Sequence, residues 1–110
     1  MTKFMVLYCS STSAQDQMRD ATPEQAQAGM DAWMQWAGKA GDAIVDLGSP
    51  LSAVATAGSG GTGAAKPVGG FSILQAESTD AVRAVLDGHP HLEMPGASIE
   101  ILEFLPIPGT

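Results

Sequence analysis

Hydrophobic and polar positions along this chain repeat with two periods, which divide it into strands and helices. The stretch from Lys3 to Ser10 follows period two. One face carries Phe4, Val6 and Tyr8, and the other carries Met5, Leu7 and Cys9. Because both faces are largely apolar, the strand needs cover on both sides. The pattern therefore predicts a first strand in the middle of a sheet.

A long amphipathic helix is predicted after the polar loop Ser10 to Ala21. Thr22-Pro23-Glu24-Gln25 combines an N-cap hydroxyl, a proline at the first helical position and a glutamine three residues after the cap. Gly41 ends the helix. Its apolar positions recur at three- and four-residue spacing, at Ala26, Met30, Trp33, Met34, Ala37 and Ala40, with Trp36 at the border of this stripe. One face of the helix is therefore expected to pack on a sheet.

The second half of the chain predicts three further strands and one more helix. Ala43 to Ala55 is β-branched and apolar but is broken at Gly48-Ser49-Pro50, which indicates a bend or bulge. The glycine-rich stretch that follows predicts a mobile loop. The remaining elements are a strand from Gly69 to Gln75 or Glu77, a helix from Thr79 to Asp87 and a strand from Ala97 to Leu105.

The resulting order is β-α-β-β-α-β, which predicts a ferredoxin-like α+β fold with an antiparallel sheet. We expect one domain over residues 1–110, with the flexible glycine-rich loop at about 57–68. Chain direction alone places three loops at one end of the sheet: Ser10 to Ala21, the glycine-rich loop and His89 to Gly96. A site on a single subunit is expected where these loops meet.

Charge and composition exclude several partners. The formal charge of -7 opposes binding to nucleic acid. The apolar run Phe4 to Cys9 is too short for a membrane span or a signal-peptide core, so a cytosolic, membrane-free protein is expected. Cys9 is the only cysteine and is expected to be a packed thiol.

Two motifs suggest chemistry. His89-Pro90-His91 holds both histidines of the chain, and a histidine can act as a general acid or base near neutral pH. A metal site would need a further ligand that the sequence does not identify, and a solvated or capping role is also open. Gly58 to Gly63 formally matches a dinucleotide fingerprint, but no helix begins in it, so a nucleotide site is not expected. No other cofactor is predicted.

The chain also resembles the YCII-related (DGPF-domain) family of small bacterial proteins. The resemblance rests on Lys3 to Tyr8, the helix ending near Gly41, Gly69-Gly70-Phe71 and Ser98 to Ile101. It implies a subunit that pairs through its sheet into a dimeric α/β barrel with a small-molecule cavity.

Two departures from the family pattern concern function. The position of the Asp-Gly-Pro-Phe motif falls on Gly58 to Gly61, without its carboxylate. Met30 and Lys39 stand where some relatives carry a His and Asp pair on the first helix. The family's catalytic residues therefore cannot be transferred to this chain.

Two hypotheses follow. In the first, a cytosolic homodimer performs cofactor-independent proton transfer or elimination on a small aromatic or lactone-like molecule. His91 would then carry the proton, with His89 as the second choice, while Tyr8 and Ser49 would bind the substrate by hydrogen bonds. In the second, the chain is a noncatalytic ligand-binding or interaction module that has lost the family's catalytic motif.

Overall fold

A computed structural model describes residues 1–12, 14–60 and 67–108 of the chain. The strands are β1 (Thr2–Cys9), β2 (Ile44–Pro50), β3 (Val68–Ala76) and β4 (Ser98–Glu103), and the helices are α1 (Ala14–Asp20), α2 (Pro23–Ala40) and α3 (Thr79–Leu86). Short 3-10 helices follow α2 at Gly41–Ala43 and precede β4 at Pro90–Glu93. None of the helices within the described ranges has the length and hydrophobicity needed to span a bilayer.

The four strands form one antiparallel sheet in the order β2-β3-β1-β4. This order, with α1 and α2 in the crossover from β1 to β2 and α3 in the crossover from β3 to β4, is the ferredoxin-like α+β arrangement, so the predicted fold class is confirmed. β1 pairs with β3 on one side and with β4 on the other, which confirms its central place.

The helices cover one face of the sheet. Alternate residues of β1 and β3 are buried there, together with side chains from α2 and α3: Phe4, Val6, Tyr8, Leu74, Ala76, Trp36, Val82 and Leu86. Burying a large apolar side chain in this way contributes about 1.5–3 kcal/mol. The intervening residues of β1, Met5 and Leu7, lie on the opposite face and stay half-buried.

The helix starts form as the sequence predicts. Thr22 and Gln25 make the reciprocal capping box, with N···O distances of 2.9 and 3.1 Å. Ser78 accepts a hydrogen bond from the Ala81 amide at 3.0 Å and caps α3. Each such cap is worth about 1 kcal/mol of helix stability. These contacts fix where α2 and α3 begin above the sheet.

Two elements differ from the sequence expectations. The predicted loop Ser10 to Ala21 contains α1, whose Asp16 and Arg19 form an ion pair of 2.7 Å at three-residue spacing. β2 ends at Pro50 rather than at Ala55. The Leu51 amide still donates to the Gly69 carbonyl, and the chain beyond Leu51 is exposed and irregular. Half of the mobile loop predicted at about 57–68, residues 61–66, lies outside the described residues.

Candidate functional site

A cavity of about 530 Å³ opens at the end of the sheet where β1 and β2 finish and β3 begins. Two of the three predicted loops contribute to its wall, 10–21 with Gln17 and 89–96 with His91. Helix α2 forms another side. The apolar part of the wall consists mainly of methionine and aromatic residues: Met18, Met30, Trp33, Met34, Phe71 and Met94. Methionine is flexible and polarisable, so this wall can adapt to flat apolar molecules.

His91 lies in the wall of the cavity, in the 3-10 helix Pro90–Glu93. Its Nε2 is 2.9 Å from the carbonyl oxygen of Cys9 and 3.1 Å from that of Ser98. Because both neighbours can only accept, Nε2 must carry the hydrogen and donate to them. In the neutral ring, Nδ1 then holds the lone pair, and no residue in the described ranges forms a hydrogen bond with it. This arrangement leaves one ring nitrogen available as a base.

The same two carbonyl groups explain why His91 is held so firmly. Cys9 ends β1 and Ser98 starts β4, and the two residues are register partners in the sheet. The imidazole therefore bridges the ends of two paired strands and is fixed to the central part of the sheet.

His89 has a different environment, although it is only two residues away. It is fully buried, and its Nδ1 accepts a hydrogen bond of 3.0 Å from the backbone amide of His91. Its ring stacks on Tyr8 with centroids 5.0 Å apart and meets the rings of Trp33 and Trp36 edge-on at 4.5 and 4.3 Å. Burial lowers the pKa of His89 to about 4, with a smaller contribution from charge repulsion whenever His91 is protonated. His89 is therefore neutral at pH 7.

The other ring nitrogen of His89, Nε2, is buried next to aromatic rings. Since Nδ1 accepts, Nε2 carries the hydrogen, and it has no hydrogen-bond partner in the described structure. The centroids of the Trp33 and Trp36 rings lie 4.5 and 4.3 Å from that of His89, and an aromatic face can act as a weak acceptor for N–H. We call His89 with Tyr8, Trp33 and Trp36 the aromatic cluster.

Tyr8 belongs to the aromatic cluster and also contributes to the cavity wall. Its hydroxyl donates to Ser72 Oγ at 2.8 Å, and Ser72 donates in turn to the Leu47 carbonyl at 2.6 Å. Burial raises the pKa of Tyr8, and the Ser72 hydrogen bond offsets part of this effect. The hydroxyl is thus protonated at neutral pH with its hydrogen directed to Ser72, and only its remaining lone pair can accept from a ligand.

Ser49 lies at the cavity end of β2, where it is exposed and donates to the Pro50 carbonyl at 3.1 Å. Its position depends on a bulge at Gly48, which the sequence predicts. Gly48 has φ of +85°, and a Cβ atom there would overlap the Phe71 carbonyl oxygen. Asp46 Oδ1 accepts from the Gly48 amide at 2.8 Å and stabilises the turn. The four predicted site residues therefore separate into three in the cavity wall and His89 behind it.

Sequence reasoning missed the contribution of α1. Gln17 lies in the wall, and its Nε2 donates to the Thr12 carbonyl at 2.8 Å and to Ser10 Oγ at 3.4 Å. Met18 lies beside it. The oppositely charged pair Asp16 and Arg19, three residues apart, was the available signal for a helix here.

Metal binding finds no support in the described ranges, where no group of three or more His, Cys, Asp or Glu side chains is placed to hold an ion. His89 Nδ1 and His91 Nε2 both have backbone partners.

Comparison with known proteins identifies a fold relative. Among solved structures, the chain is similar to the 5-chloro-2-hydroxyhydroquinone dehydrochlorinase TftG from Burkholderia phenoliruptrix AC1100, in complex with 2,5-dihydroxybenzoquinone. The similarity covers 91% of both chains at 19% sequence identity, with a TM-score of 0.51. No protein-family model and no curated protein matches the sequence. The similarity supports the fold and leaves the activity to be argued from the site.

Proposed function

We propose that the chain is a YCII-like protein that binds a small, flat organic molecule in the cavity and transfers a proton to or from it without a cofactor. His91 is the proton carrier. The observation that supports this role is the fixed imidazole in the cavity wall, with Nε2–H held by two carbonyl groups and Nδ1 left with its lone pair. A positioned base of this kind contributes about 10²–10⁴-fold to a proton-transfer rate.

The chemistry follows from this geometry. Nδ1 takes a proton from a carbon or hydroxyl of the ligand, and the imidazolium that forms keeps Nε2–H on the Cys9 and Ser98 carbonyls, where charge strengthens both bonds. In an isomerisation, the same nitrogen returns the proton to another atom. In an elimination, the electron pair of the broken C–H bond forms the new double bond, and the leaving group departs with its own bonding pair.

The lining of the cavity favours an aromatic or lactone-like ligand. The ring of Trp33 and the methionine side chains offer apolar, polarisable surface, while Tyr8, Gln17 and Ser49 provide a few oriented polar atoms. The dehydrochlorinase of similar fold was solved in complex with 2,5-dihydroxybenzoquinone. Hydroxylated quinones, hydroquinones and lactones are therefore the first ligands to test.

The functional unit in this proposal is a homodimer. The face of the sheet opposite the helices carries Met5 and Leu7 of β1, and the register partners of Met5, Ile73 and Leu102, lie on the same face. Leu102 is 47% exposed. A second copy laid sheet to sheet would cover this apolar surface, in agreement with the resemblance to dimeric α/β barrels.

A noncatalytic ligand-binding module is the second candidate, and one observation favours it. Of the titratable side chains near the cavity, Tyr8 directs its hydrogen to Ser72 and His89 is buried behind the wall. Among the described residues that line the cavity, His91 then remains for proton transfer. A reaction that needs both a separate acid and a separate base would lack one of them.

The experiment is a titration of the isotope-labelled protein with a panel of hydroxyquinols, quinones and lactones, following protein amide shifts and ligand signals together. Shifts around His91 and Ser49 with product signals support an enzyme, and shifts without product support a binding module. No shift with any ligand rejects this ligand class.

The matched variants are His91→Gln and His91→Ala. Gln places an N–H donor near the position of Nε2 and removes the base, so it is expected to keep binding and lose turnover. Turnover unchanged in His91→Ala would reject His91 as the proton carrier.

A further inference from the structure

We propose that His89 is a positioning residue for His91, and that it acts through the hydrogen bond from the His91 amide to His89 Nδ1. The inference rests on the proposed role of His91, which it deepens. It assigns the buried histidine to the same site although His89 does not touch the cavity.

The backbone around His91 is held by hydrogen bonds within the segment His89 to Met94. His89 is the N-cap of the 3-10 helix Pro90–Glu93, and its Nδ1 accepts from the amide two residues later. Further bonds follow from the Leu92 amide to the His89 carbonyl at 3.0 Å and from the Met94 amide to the His91 carbonyl at 3.3 Å. Pro90 has no amide hydrogen and fixes its own φ. The His91 backbone is thus set by the bond to His89.

The ring of His89 is itself held in place. A cap whose side chain can rotate would fix little, but this ring is stacked on Tyr8 and enclosed edge-on by Trp33 and Trp36. Trp36 is in turn held by a hydrogen bond of 2.9 Å from its Nε1 to the Val85 carbonyl of α3. The aromatic cluster therefore fixes His89 between α2, α3 and β1.

Hydrogen bonds at both its backbone amide and its ring hold His91 in place. The His91 amide is held by His89, and the His91 Nε2 is held by Cys9 and Ser98. Three fixed backbone or ring atoms thereby define both ends of the His91 residue. Removing the His89 acceptor frees one end, and the imidazole can then leave the geometry in which Nδ1 is the base.

A matched pair of variants separates the hydrogen bond from the packing. His89→Asn places its Oδ1 near the position of Nδ1, so it keeps the acceptor and loses the ring. His89→Phe keeps a planar ring in the aromatic cluster and loses the acceptor. Nitrogen-detected NMR of the imidazoles reports the tautomer of His91, and hydrogen exchange reports the protection of its amide.

We expect His89→Phe to shift His91 from a single Nε2–H tautomer to a mixture and to speed exchange of its amide by about tenfold, the effect of losing one hydrogen bond. His89→Asn keeps an acceptor but loses the packed ring that holds it, so it is expected to change both signals less than His89→Phe does. Signals unchanged in His89→Phe, or changed as much in His89→Asn when that variant is folded, overturn the proposal. Should His89→Asn fail to fold, the wild-type spectrum decides: His89 found with hydrogen on Nδ1 overturns it, and on Nε2 supports it.

Turnover distinguishes this inference from the proposed function. With a substrate in hand, His89→Phe should lower turnover in the wild-type background and have no further effect in His91→Gln. If His91→Ala turns over normally while His89→Phe still changes the His91 tautomer, the proposed function fails and the positioning contact stands.

Discussion

The two faces of the sheet differ in how far their residues are buried, although the same strands form both faces. On the helix side, alternate residues such as Val6 and Leu74 are fully buried. On the other side, their neighbours Leu7 and Ile73 are only half-buried in a single chain. The strands are apolar on both sides, so the difference comes from what covers them. A single chain therefore buries the apolar residues on one face of its sheet and leaves those on the other face partly exposed.

The largest expected effect is on the covered face. Leu74→Ala should lower the free energy of unfolding by about 2–5 kcal/mol, because it leaves a cavity where Leu74 is 0% exposed. The adjacent variant Ile73→Ala is the control for the open face and should cost about 1 kcal/mol or less at low protein concentration. Urea denaturation measures both.

Raising the protein concentration tests whether a second copy covers the open face. If a second copy covers the open face, the cost of Ile73→Ala rises with protein concentration while that of Leu74→Ala does not. Equal costs for the two variants in a monomeric sample would contradict the described difference between the faces.

The buried histidine gives the covered face a pH dependence. The pKa of His89 is about 4 in the folded chain against an ordinary value of 6.5, so at a pH between 4 and 6.5 His89 is protonated in the unfolded chain but neutral in the folded one. His89 therefore leaves the free energy of unfolding unchanged above about pH 6.5 and lowers it as the pH falls from 6.5 to 4. The loss reaches about 3 kcal/mol at most, from 1.36 kcal/mol for each pKa unit.

The control for this pH dependence is His89→Phe, which keeps a ring and cannot titrate. Carboxylates titrate in both proteins, so the difference between the two curves isolates His89. Parallel unfolding curves from pH 7 to pH 4 would contradict the buried, neutral state of His89.

The edge of the sheet provides the third comparison. Gly48→Ala should destabilise the chain by about 2–3 kcal/mol, because the residue has φ of +85° and a Cβ would meet the Phe71 carbonyl. Gly38→Ala, in the last turn of α2 with nothing within 4 Å of the added atom, should stabilise it by up to about 1 kcal/mol. Thermal unfolding of both variants checks the sign, and a stable Gly48→Ala protein would refute the bulge.

Much of this fold can be predicted from the sequence because its signals are local. The capping box at Thr22 and the period-two run of β1 each depend on a few neighbouring residues, and both appear in the structure. The bulge at Gly48 is also local. In contrast, α1 spans 7 residues, which is too short for a helical period to stand out from a polar loop.

The candidate site depends on contacts that the sequence pattern does not contain. Periodicity places Trp33 in the apolar stripe and Trp36 at its border, yet Trp36 is the more buried, and its Nε1 donates to the Val85 carbonyl across the fold. His91 before His89 as the proton carrier remains a prediction, and the surroundings of His89 depend on side chains from α2 and β1. Adjacent residues of one motif can therefore have different environments, and only the tertiary packing separates them.

The smallest expected effect on the single chain is also the sharpest test of the open face. Leu102→Asp changes a β4 residue that is 47% exposed, and in a monomer it should alter the free energy of unfolding by about 0.5 kcal/mol or less. Leu92→Asp is the matched control, since Leu92 is 46% exposed but lies in the 3-10 helix Pro90–Glu93 and not on a strand of the sheet. Light scattering at micromolar concentration should show a dimer for the wild type and Leu92→Asp and a monomer for Leu102→Asp, because sheet-to-sheet packing would bury the new charge. A wild-type monomer would leave the apolar face uncovered and refute the homodimer, and a Leu102→Asp dimer would mean that the second copy binds elsewhere.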